Sequence, residues 1–366
     1  MEEWKEYKLG DVLTIKYGKD HKQLADGDIP IYGSGGIMRY GERSLYDGPS
    51  ILIPRKGSLN NVIYADKPFW TVDTMFWSII NDSIANPLFV YYSICKKDFA
   101  SLNVGSAVPS LTVPVIEDID ILLPPKATQD KVVSILKSLD DKIELNRHIN
   151  DNLEQQAQAL FNYYFIDTPE LLGEFSVGSL ADAANYVNGL AMQKYRPISG
   201  EKGLPVLKIK ELGQGRIDSS SDFCSNEIDS YYKVYDGDVI FSWSGTLMVK
   251  IWCGGKCGLN QHLFKVSSKT TPKWFYYFWT KHHLDNFIRI AKDKAVTMGH
   301  IKREELEKAE VLFPNNSVMK KLDTLMAPFL DQIIEKECEI RKLALLRDTL
   351  LPKLISGELV INDINN

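Results

Sequence analysis

The chain has 366 residues, of which 44% are hydrophobic, and this length predicts about two globular domains, each with its own core. A formal charge of −5 argues against a protein coated in nucleic acid, so any anionic ligand must be met by local groups. The five cysteines are odd in number and scattered, which argues against a disulfide framework and is typical of a reducing compartment.

The first residues are acidic and lack the basic start and apolar stretch of a secretory signal. No run approaches the roughly 18 apolar residues of a membrane span. We therefore expect a cytoplasmic protein that is not inserted in a membrane.

Residues 1–127 have the pattern of an α+β module, called here the first module. The predicted elements are a short helix and strand at 8–13, strands at 30–32 and 51–54, an aromatic-rich helix around 87–99 and a strand at 119–124 ending in proline.

A long helix is predicted over residues 128–169, because apolar residues recur at the four-three spacing of a coiled-coil seam. The seam positions are Val132, Leu136, Leu139, Ile143, Asn146, Asn150, Leu153, Ala157 and Leu160.

The second module, residues 170–316, repeats this order of elements. It comprises a short helix and strand at 176–183, strands at 204–207 and 239–241, an aromatic-rich helix around 272–290 and a strand at 308–314. A second long helix over 317–358 and a tail at 359–366 complete the chain.

An internal repeat relates the two halves. A Tyr-Asp-Gly turn precedes an apolar strand at 46–48 and again at 235–237, and the strands ending in Pro124 and Pro314 differ by 190 positions. Adding 190 to the first seam gives a second with seven of nine apolar members: Leu322, Met326, Phe329, Ile333, Lys336, Ile340, Leu343, Arg347 and Leu350.

These patterns predict an α+β fold in which two globular modules are separated by two long helices, with a pseudo-two-fold internal repeat. The helices are expected to pair as an antiparallel coiled coil, because the chain must return through the second module between them. At about 1.5 Å per residue they would form a rod on the order of 50 Å.

Loops of both modules combine glycine, basic, aromatic and amide residues. Glycine lets a backbone approach phosphate, lysine and arginine neutralise it, and Asn, Gln, Ser and Arg match base edges. The candidates in the first module are Lys16, Tyr17, Lys19, His21, Lys22, Tyr32, Ser34, Gly35, Arg39, Arg55, Lys56 and Ser58. Those in the second are Asn188, Lys194, Tyr195, Arg196, Lys208, Lys210, Ser242, Trp243, Ser244, Thr246, Asn260, Gln261 and His262. Neither module is strongly basic, so we expect this chain alone to bind DNA weakly and with salt sensitivity.

Signatures of catalysis and metal binding are absent from the sequence. Lys256 is followed by Cys257, where a phosphate-binding loop needs Ser or Thr. Residues 86–89 resemble the adenine-holding tetrapeptide of amino-methyltransferases but lack its second proline, so Asn86 is predicted to cap the aromatic helix. Cys253, Cys257 and His262 lack a fourth ligand and the usual zinc spacing, so no metal site is predicted.

The chain resembles the specificity subunit of type I restriction–modification systems over about residues 1–358. The resemblance is carried by the helix segments 129–136, 141–146 and 152–161, the C-terminal segment 350–359 and the loops 31–37 and 237–246.

This resemblance implies that residues 1–127 and 170–316 are target recognition domains, each reading one half of a split, asymmetric double-stranded DNA sequence. Residues 128–169 and 317–358 would be the conserved helices that set the spacing. It further implies a chain without an active site or cofactor of its own. Two modification subunits would bind S-adenosylmethionine and methylate adenine N6, and restriction subunits would use ATP and Mg²⁺ to translocate and cut.

Two other functions remain open from the sequence: a noncatalytic DNA-binding adaptor or decoy without a methyltransferase partner, and a coiled-coil scaffold. The features that discriminate are the candidate docking residues Gln155, Gln156, Phe161, Tyr164 and Phe165, which suit contact with a partner subunit. The competing interpretation is that these aromatic side chains pack only against their own module.

Overall fold

The computed structural model describes residues 4–105, 107–293 and 299–359. Its contacts divide the chain into two units. The first comprises Met1–Asp141 and Leu345–Asn366, and the second comprises Lys142–Ala344. Each unit therefore contains one module and a part of both long helices.

The first module consists of short strands and helices. In chain order they are β1 (Lys5–Lys8), α1 (Leu9–Val12), β2 (Leu13–Tyr17), β3 (Ile29–Gly33), β4 (Gly36–Gly41), β5 (Ser50–Pro54), β6 (Ile63–Ala65), β7 (Trp70–Thr71), β8 (Met75–Ile80), α2 (Pro87–Ile94), α3 (Val113–Glu117) and β9 (Asp120–Leu123). An antiparallel sheet has the order β2-β8-β5-β6, a second sheet has the order β4-β3-β7 with β3 and β7 parallel, and β1 pairs with β9.

The second module has corresponding elements. They are β10 (Phe175–Ser179), α5 (Leu180–Ala183), β11 (Asn185–Asn188), β12 (Leu204–Leu207), α6 (Ile209–Gln214), β13 (Phe223–Cys224), β14 (Lys233–Val234), β15 (Asp238–Ser242), β16 (Met248–Trp252), β17 (Cys257–Leu259), β18 (Leu263–Ser267), α7 (Lys273–His282), α8 (Leu284–Asp293), α9 (Glu304–Glu307) and β19 (Glu310–Pro314). Its sheets have the orders β11-β18-β15-β16 and β13-β12-β17-β14, and β10 pairs with β19.

The two sets of sheets confirm the internal repeat. The central sheets share their order, the parallel pair β3 and β7 corresponds to β12 and β17, and the first and last strands of each module pair antiparallel. Between the matching strands the modules differ: β4 follows β3 directly as its antiparallel partner, whereas α6 lies between β12 and its antiparallel partner β13.

The aromatic-rich helices differ from their predicted bounds. The side chain of Asn86 caps α2 as predicted, accepting a hydrogen bond from the Leu88 amide at 2.9 Å. However, α2 ends at Ile94 rather than near residue 99, and the second aromatic helix is divided into α7 and α8 at His283.

The long helices are α4 (Lys126–Asn162), which continues as a π-helical turn over Tyr163–Asp167, and α10 (Asn316–Ile355). None of the predicted seam positions is exposed in either helix. In the first unit, an ion pair of 2.7 Å joins Asp140 of α4 to Arg347 of α10. In the second unit, Asn150 donates a hydrogen bond to Glu337 at 2.9 Å. The two helices are antiparallel, as predicted, because early positions of α4 meet late positions of α10.

Each unit has its own main hydrophobic core. In the first, Val132 and Leu136 of α4 and Leu351 and Leu354 of α10 pack with the module's central sheet. In the second, Leu322 and Met326 of α10 pack with the aromatic side chains of α7. The long helices therefore complete the core of each unit.

Within the described ranges, no helix is both long and apolar enough to cross a lipid bilayer.

Candidate nucleic-acid interface

The predicted loops of the first module converge on one edge of its central sheet. Strands β2 and β5 both pair antiparallel with β8, so they run in the same direction and end together. Tyr17 at the end of β2 and Ile53 near the end of β5 both pair with Phe76 of β8. The segments that follow, 18–22 and 55–58, therefore emerge side by side; we call this the first sheet edge.

Direct contacts hold the first sheet edge together. The Arg55 guanidinium lies 5.4 Å from the centre of the Tyr17 ring, a cation–π contact between the two loops. The Lys19 amide donates to the Thr71 carbonyl at 2.8 Å, and the Trp70 indole donates to the Lys19 carbonyl at 3.0 Å. These bonds use backbone groups of Lys19 and leave its ammonium exposed.

Three lysines of the first sheet edge, Lys19, Lys22 and Lys56, are exposed, and so is Lys16 near the end of β2. No ion pair of their ammonium groups is found in the part of the chain that the structure describes. The carboxylate of Asp20 lies near Lys22 and accepts a hydrogen bond from its amide at 3.1 Å. The charges of Lys16, Lys19 and Lys56 remain available to an anionic ligand.

The turn between β3 and β4 joins this edge. The Ser34 carbonyl accepts a hydrogen bond from the Asn61 side chain at 2.9 Å. Gly57 has φ +88°, a conformation that favours glycine, and a β-carbon there would lie 2.8 Å from Ser34 Oγ, so the two segments are close together. Ser34, Gly35 and Ser58 are thereby brought beside the basic loops. Tyr32 instead packs half-buried against Phe69, and burial raises the pKa of its hydroxyl.

The side chain of Arg39 is bonded to the loop of residues 21–26. Its guanidinium forms a 2.9 Å ion pair with Asp26 and donates at 2.8 Å to the carbonyls of both His21 and Leu24. It also donates to His21 Nδ1 at 3.3 Å. Since these bonds use its donors, Arg39 fixes the 21–26 loop against β4 rather than facing a ligand freely.

Sequence analysis missed the segment around Pro109 and Ser110. Ser110 forms an isolated antiparallel bridge with Lys56, and the Gly57 amide donates to the Pro109 carbonyl at 3.2 Å. A bridge between residues so far apart leaves no local pattern in the sequence.

The second module presents the equivalent edge. Asn188 at the end of β11 pairs with Phe264 of β18, and Ser242 at the end of β15 pairs with Leu263. The Trp243 indole donates to Asn188 Oδ1 at 3.0 Å. This bond joins the same two loop positions that Arg55 and Tyr17 occupy in the first module.

Several predicted residues of this second sheet edge lie inside the module. Ser242, Ser244 and Asn260 are buried, so their side chains shape the edge rather than face a ligand. Gly189 leaves no room for a side chain, because a β-carbon there would lie 2.2 Å from the Asn260 carbonyl oxygen. Thr246 is exposed.

Gln261 and His262 are half-buried beside the Trp243 ring. Gln261 Nε2 lies 3.2 Å from His262 Nε2, and the His262 ring centre lies 5.9 Å from that of Trp243. Together with Cys253 and Cys257, His262 resembles a set of zinc ligands in the sequence, but the spacing and the lack of a fourth ligand predict no metal site. Among the described residues, no group of three His, Cys, Asp or Glu side chains is placed to hold a metal ion.

The other basic residues predicted in the second module lie beside β13. Lys208 is ion-paired with Asp222, and Lys210 with Asp218 at 3.0 Å. Lys194, Tyr195 and Arg196 are exposed, and the Tyr195 carbonyl accepts from the Ser225 amide at 2.7 Å. The second module thus neutralises more of its own basic groups than the first.

The docking prediction is wrong for two aromatic residues. Phe161 and Phe165 are buried in the second unit's core, stacked 5.1 Å apart, and Phe161 also stacks on Phe278 at 5.6 Å. Their side chains complete a core, so they are not available to a partner. Tyr164 is half-buried, whereas Gln155 and Gln156 are exposed.

A polar groove of about 430 Å³ lies on the exposed side of α4 in the second unit, lined by Asp151, Glu154, Gln155, Gln158, Ala159, Asn162 and Lys281. Asp151, Gln155, Gln158 and Asn162 follow a four-three-four spacing, so the sequence itself places these polar side chains on one face of α4. Burial alone would raise the pKa of Glu154, but hydrogen bonds from Lys281 and the Tyr277 hydroxyl, both 2.7 Å long, lower it.

Comparison with curated proteins finds relatives that are type I restriction enzyme specificity subunits. The MjaIX subunit of Methanocaldococcus jannaschii is 25% identical over 394 residues, covering 98% of this chain and 89% of the relative. The EcoBI subunit of Escherichia coli is 26% identical over 194 residues, covering 50% of this chain and 39% of the relative.

Among solved structures, the type I restriction–modification S subunit from M. genitalium has the same fold, with a TM-score of 0.62 at 14% identity and 96% coverage of both chains. The family model of the type I restriction modification DNA specificity domain matches this chain twice, at residues 1–155 and 173–346. The two matches each include one module with its sheet edge, and the chain therefore belongs to the family of type I restriction–modification DNA specificity domains.

Proposed function

We propose that this chain is the noncatalytic specificity subunit of a type I restriction–modification complex, acting on double-stranded DNA in the cytoplasm. The observation that carries the proposal is the repeated sheet edge. In the first module β2 and β5 end together against β8, in the second β11 and β15 end together against β18, and the loops that follow these strands lie at that edge. On this proposal, residues 1–127 and 170–316 each contact one half of a bipartite DNA sequence.

Differences between the two edges support different half-sites. The exposed lysines of the first sheet edge form no ion pair within the described residues, whereas Lys208 and Lys210 of the second module are ion-paired. Phosphate contacts would therefore come mainly from the first module and from partner subunits, because lysines already paired with carboxylates have less to gain from DNA. Side chains such as Trp243 and Asn188 already bond to each other, so DNA would meet a fixed surface in the second module.

The long helices are proposed to set the spacing between half-sites and to bind two modification subunits. The polar groove on α4 supports this role, since Gln155 and Gln158 offer amide donors and acceptors on an exposed helix face. S-adenosylmethionine, ATP and Mg²⁺ would be bound by the modification and restriction subunits.

Co-expression with the neighbouring methyltransferase gene, followed by genome-wide mapping of N6-methyladenine, tests this proposal. The expected result is a methylated sequence of two unlike halves separated by a fixed spacer. Deleting the gene for this chain should abolish that methylation. Methylation that persists without this chain, or that follows no split sequence, would contradict the proposal and favour an adaptor without a methyltransferase partner.

A further inference from the structure

The β3–β4 hairpin of the first module exposes three large apolar side chains that are close together in sequence. Ile37 is 49% exposed, Met38 is 58% exposed and Tyr40 is 51% exposed, and all three lie on β4, the edge strand of its sheet. Single exposed apolar residues are common, but a contiguous group usually marks a surface that binds something.

A β-bulge directs Met38 to this surface. Ile31 pairs with Arg39 and Tyr32 pairs with Ile37, so Met38 has no partner on β3. Bulges redirect side chains and are frequent beside functional sites. Gly33 lies under Met38: a β-carbon there would be 2.5 Å from the methionine sulfur. Met38 is thus seated against the hairpin while more than half of it faces solvent.

The turn of this hairpin adjoins the basic first sheet edge. The hairpin turn bonds to Asn61 through the Ser34 carbonyl and contacts Gly57, the neighbour of the exposed Lys56. A DNA duplex lying against those lysines would therefore also reach the hairpin.

The chemistry of the major groove identifies what an apolar hairpin would contact there. A two-stranded ribbon fits the major groove, and the apolar group that bases present in it is the thymine C5-methyl. We infer that Ile37 and Met38 contact a thymine methyl within the half-site bound by the first module. This inference rests on the proposed function and adds to it a chemical class of base contact and the residues that make it.

The experiment uses the purified complex with its methyltransferase and a duplex of the mapped methylated sequence. Each thymine of both half-sites is replaced in turn by uracil, which removes only the C5-methyl. Burying a methyl contributes about fourfold in affinity. At least one replacement, in one half-site only, should weaken binding of the wild-type complex by about fourfold.

Variants of the hairpin assign that effect to its residues. Met38→Ala together with Ile37→Ala should weaken binding to the thymine duplex and make thymine and uracil equivalent, whereas Met38→Leu should preserve the discrimination. Ile79→Ala is the matched control, because Ile79 is also exposed but lies near the end of β8 remote from the first sheet edge. Thermal melting verifies that all variants fold.

The inference is overturned if the mapped half-sites contain no thymine, if no uracil replacement affects the wild-type complex, or if the double alanine variant discriminates as well as the wild type. A complex that shows no preference for the mapped sequence over unrelated DNA would instead refute the proposed function, and this inference with it.

Discussion

Replacing Phe161 by alanine is expected to destabilise the second unit strongly, because the ring is fully buried among other rings. It stacks on Phe165 and Phe278 at 5.1 and 5.6 Å and meets Trp279 edge-on at 5.2 Å. Truncating a buried phenylalanine costs about 3–5 kcal/mol, which includes the cavity that remains. For a unit of this size, that loss lowers Tm by about 6–20 °C.

Thermal unfolding followed by tryptophan fluorescence measures this effect directly, since Trp274 and Trp279 belong to the same core. Gln155→Ala is the control: because the side chain is exposed, the free energy of unfolding should change by no more than about 0.5 kcal/mol, which leaves Tm nearly unchanged. A Phe161→Ala protein that melts like the wild type but no longer binds the methyltransferase would refute our placement of Phe161 in the core and restore it to a docking surface.

Three further results are expected. Lys56→Ala should weaken binding to specific and unrelated DNA alike and reduce the slope of log affinity against log salt by about 1, as measured by gel-shift titrations across salt concentrations. Lys67→Ala is the control and should change neither quantity, because Lys67 is exposed just after β6, whose last residue pairs with the start of β5. Inserting four residues after Asn146 should change the spacer of the methylated sequence without changing either half, and an unchanged spacer in the methylation map would contradict the role of the helices. Burial alone would raise the pKa of Asp236, but hydrogen bonds from Arg341 at 2.7 and 2.8 Å lower it, so Asp236→Asn should destabilise the protein by about 1–2 kcal/mol at pH 7 in urea titrations. A lowered pKa gives its full stabilisation above the ordinary value near 4 and loses it progressively as the pH falls toward the lowered value. The difference should therefore shrink as the pH falls below about 4, and a difference that stays constant would exclude the charge as its cause.

Sequence periodicity predicted the features that depend on local spacing. The four-three spacing predicts which residues of α4 and α10 form the seam, and the structure leaves none of these residues exposed, including the polar Asn146 and Lys336. The helix cap at Asn86 was also predictable, because capping needs only an acceptor side chain next to the first turn. The repeat then implied that both modules share one topology, which their sheets confirm.

Contacts between distant segments were not predictable in this way. The basic character of Arg39 suggested DNA contact, but its bonds to Asp26 and to the His21 and Leu24 carbonyls arise only when β4 meets the 21–26 loop. Phe161 was grouped with the glutamines as a candidate docking residue, and only the packing of α7 against α4 shows that it is buried. Periodicity assigns a face to a residue, but it does not identify what covers that face.

The first unit is discontinuous in the chain, and this order constrains how the protein is made. Its module precedes Asp141, yet Leu351 and Leu354 from the far end of α10 fill its core and Arg347 neutralises Asp140. A ribosome adding about 5–20 residues per second needs roughly 10–40 s to produce the intervening two hundred residues. During that time the apolar residues of the first module that pack against Leu351 and Leu354 remain exposed. The second unit, in contrast, is continuous in the chain and can fold once residue 344 has been added. A premature stop codon before Leu345 would therefore destabilise the first unit, although most of its residues are synthesised first.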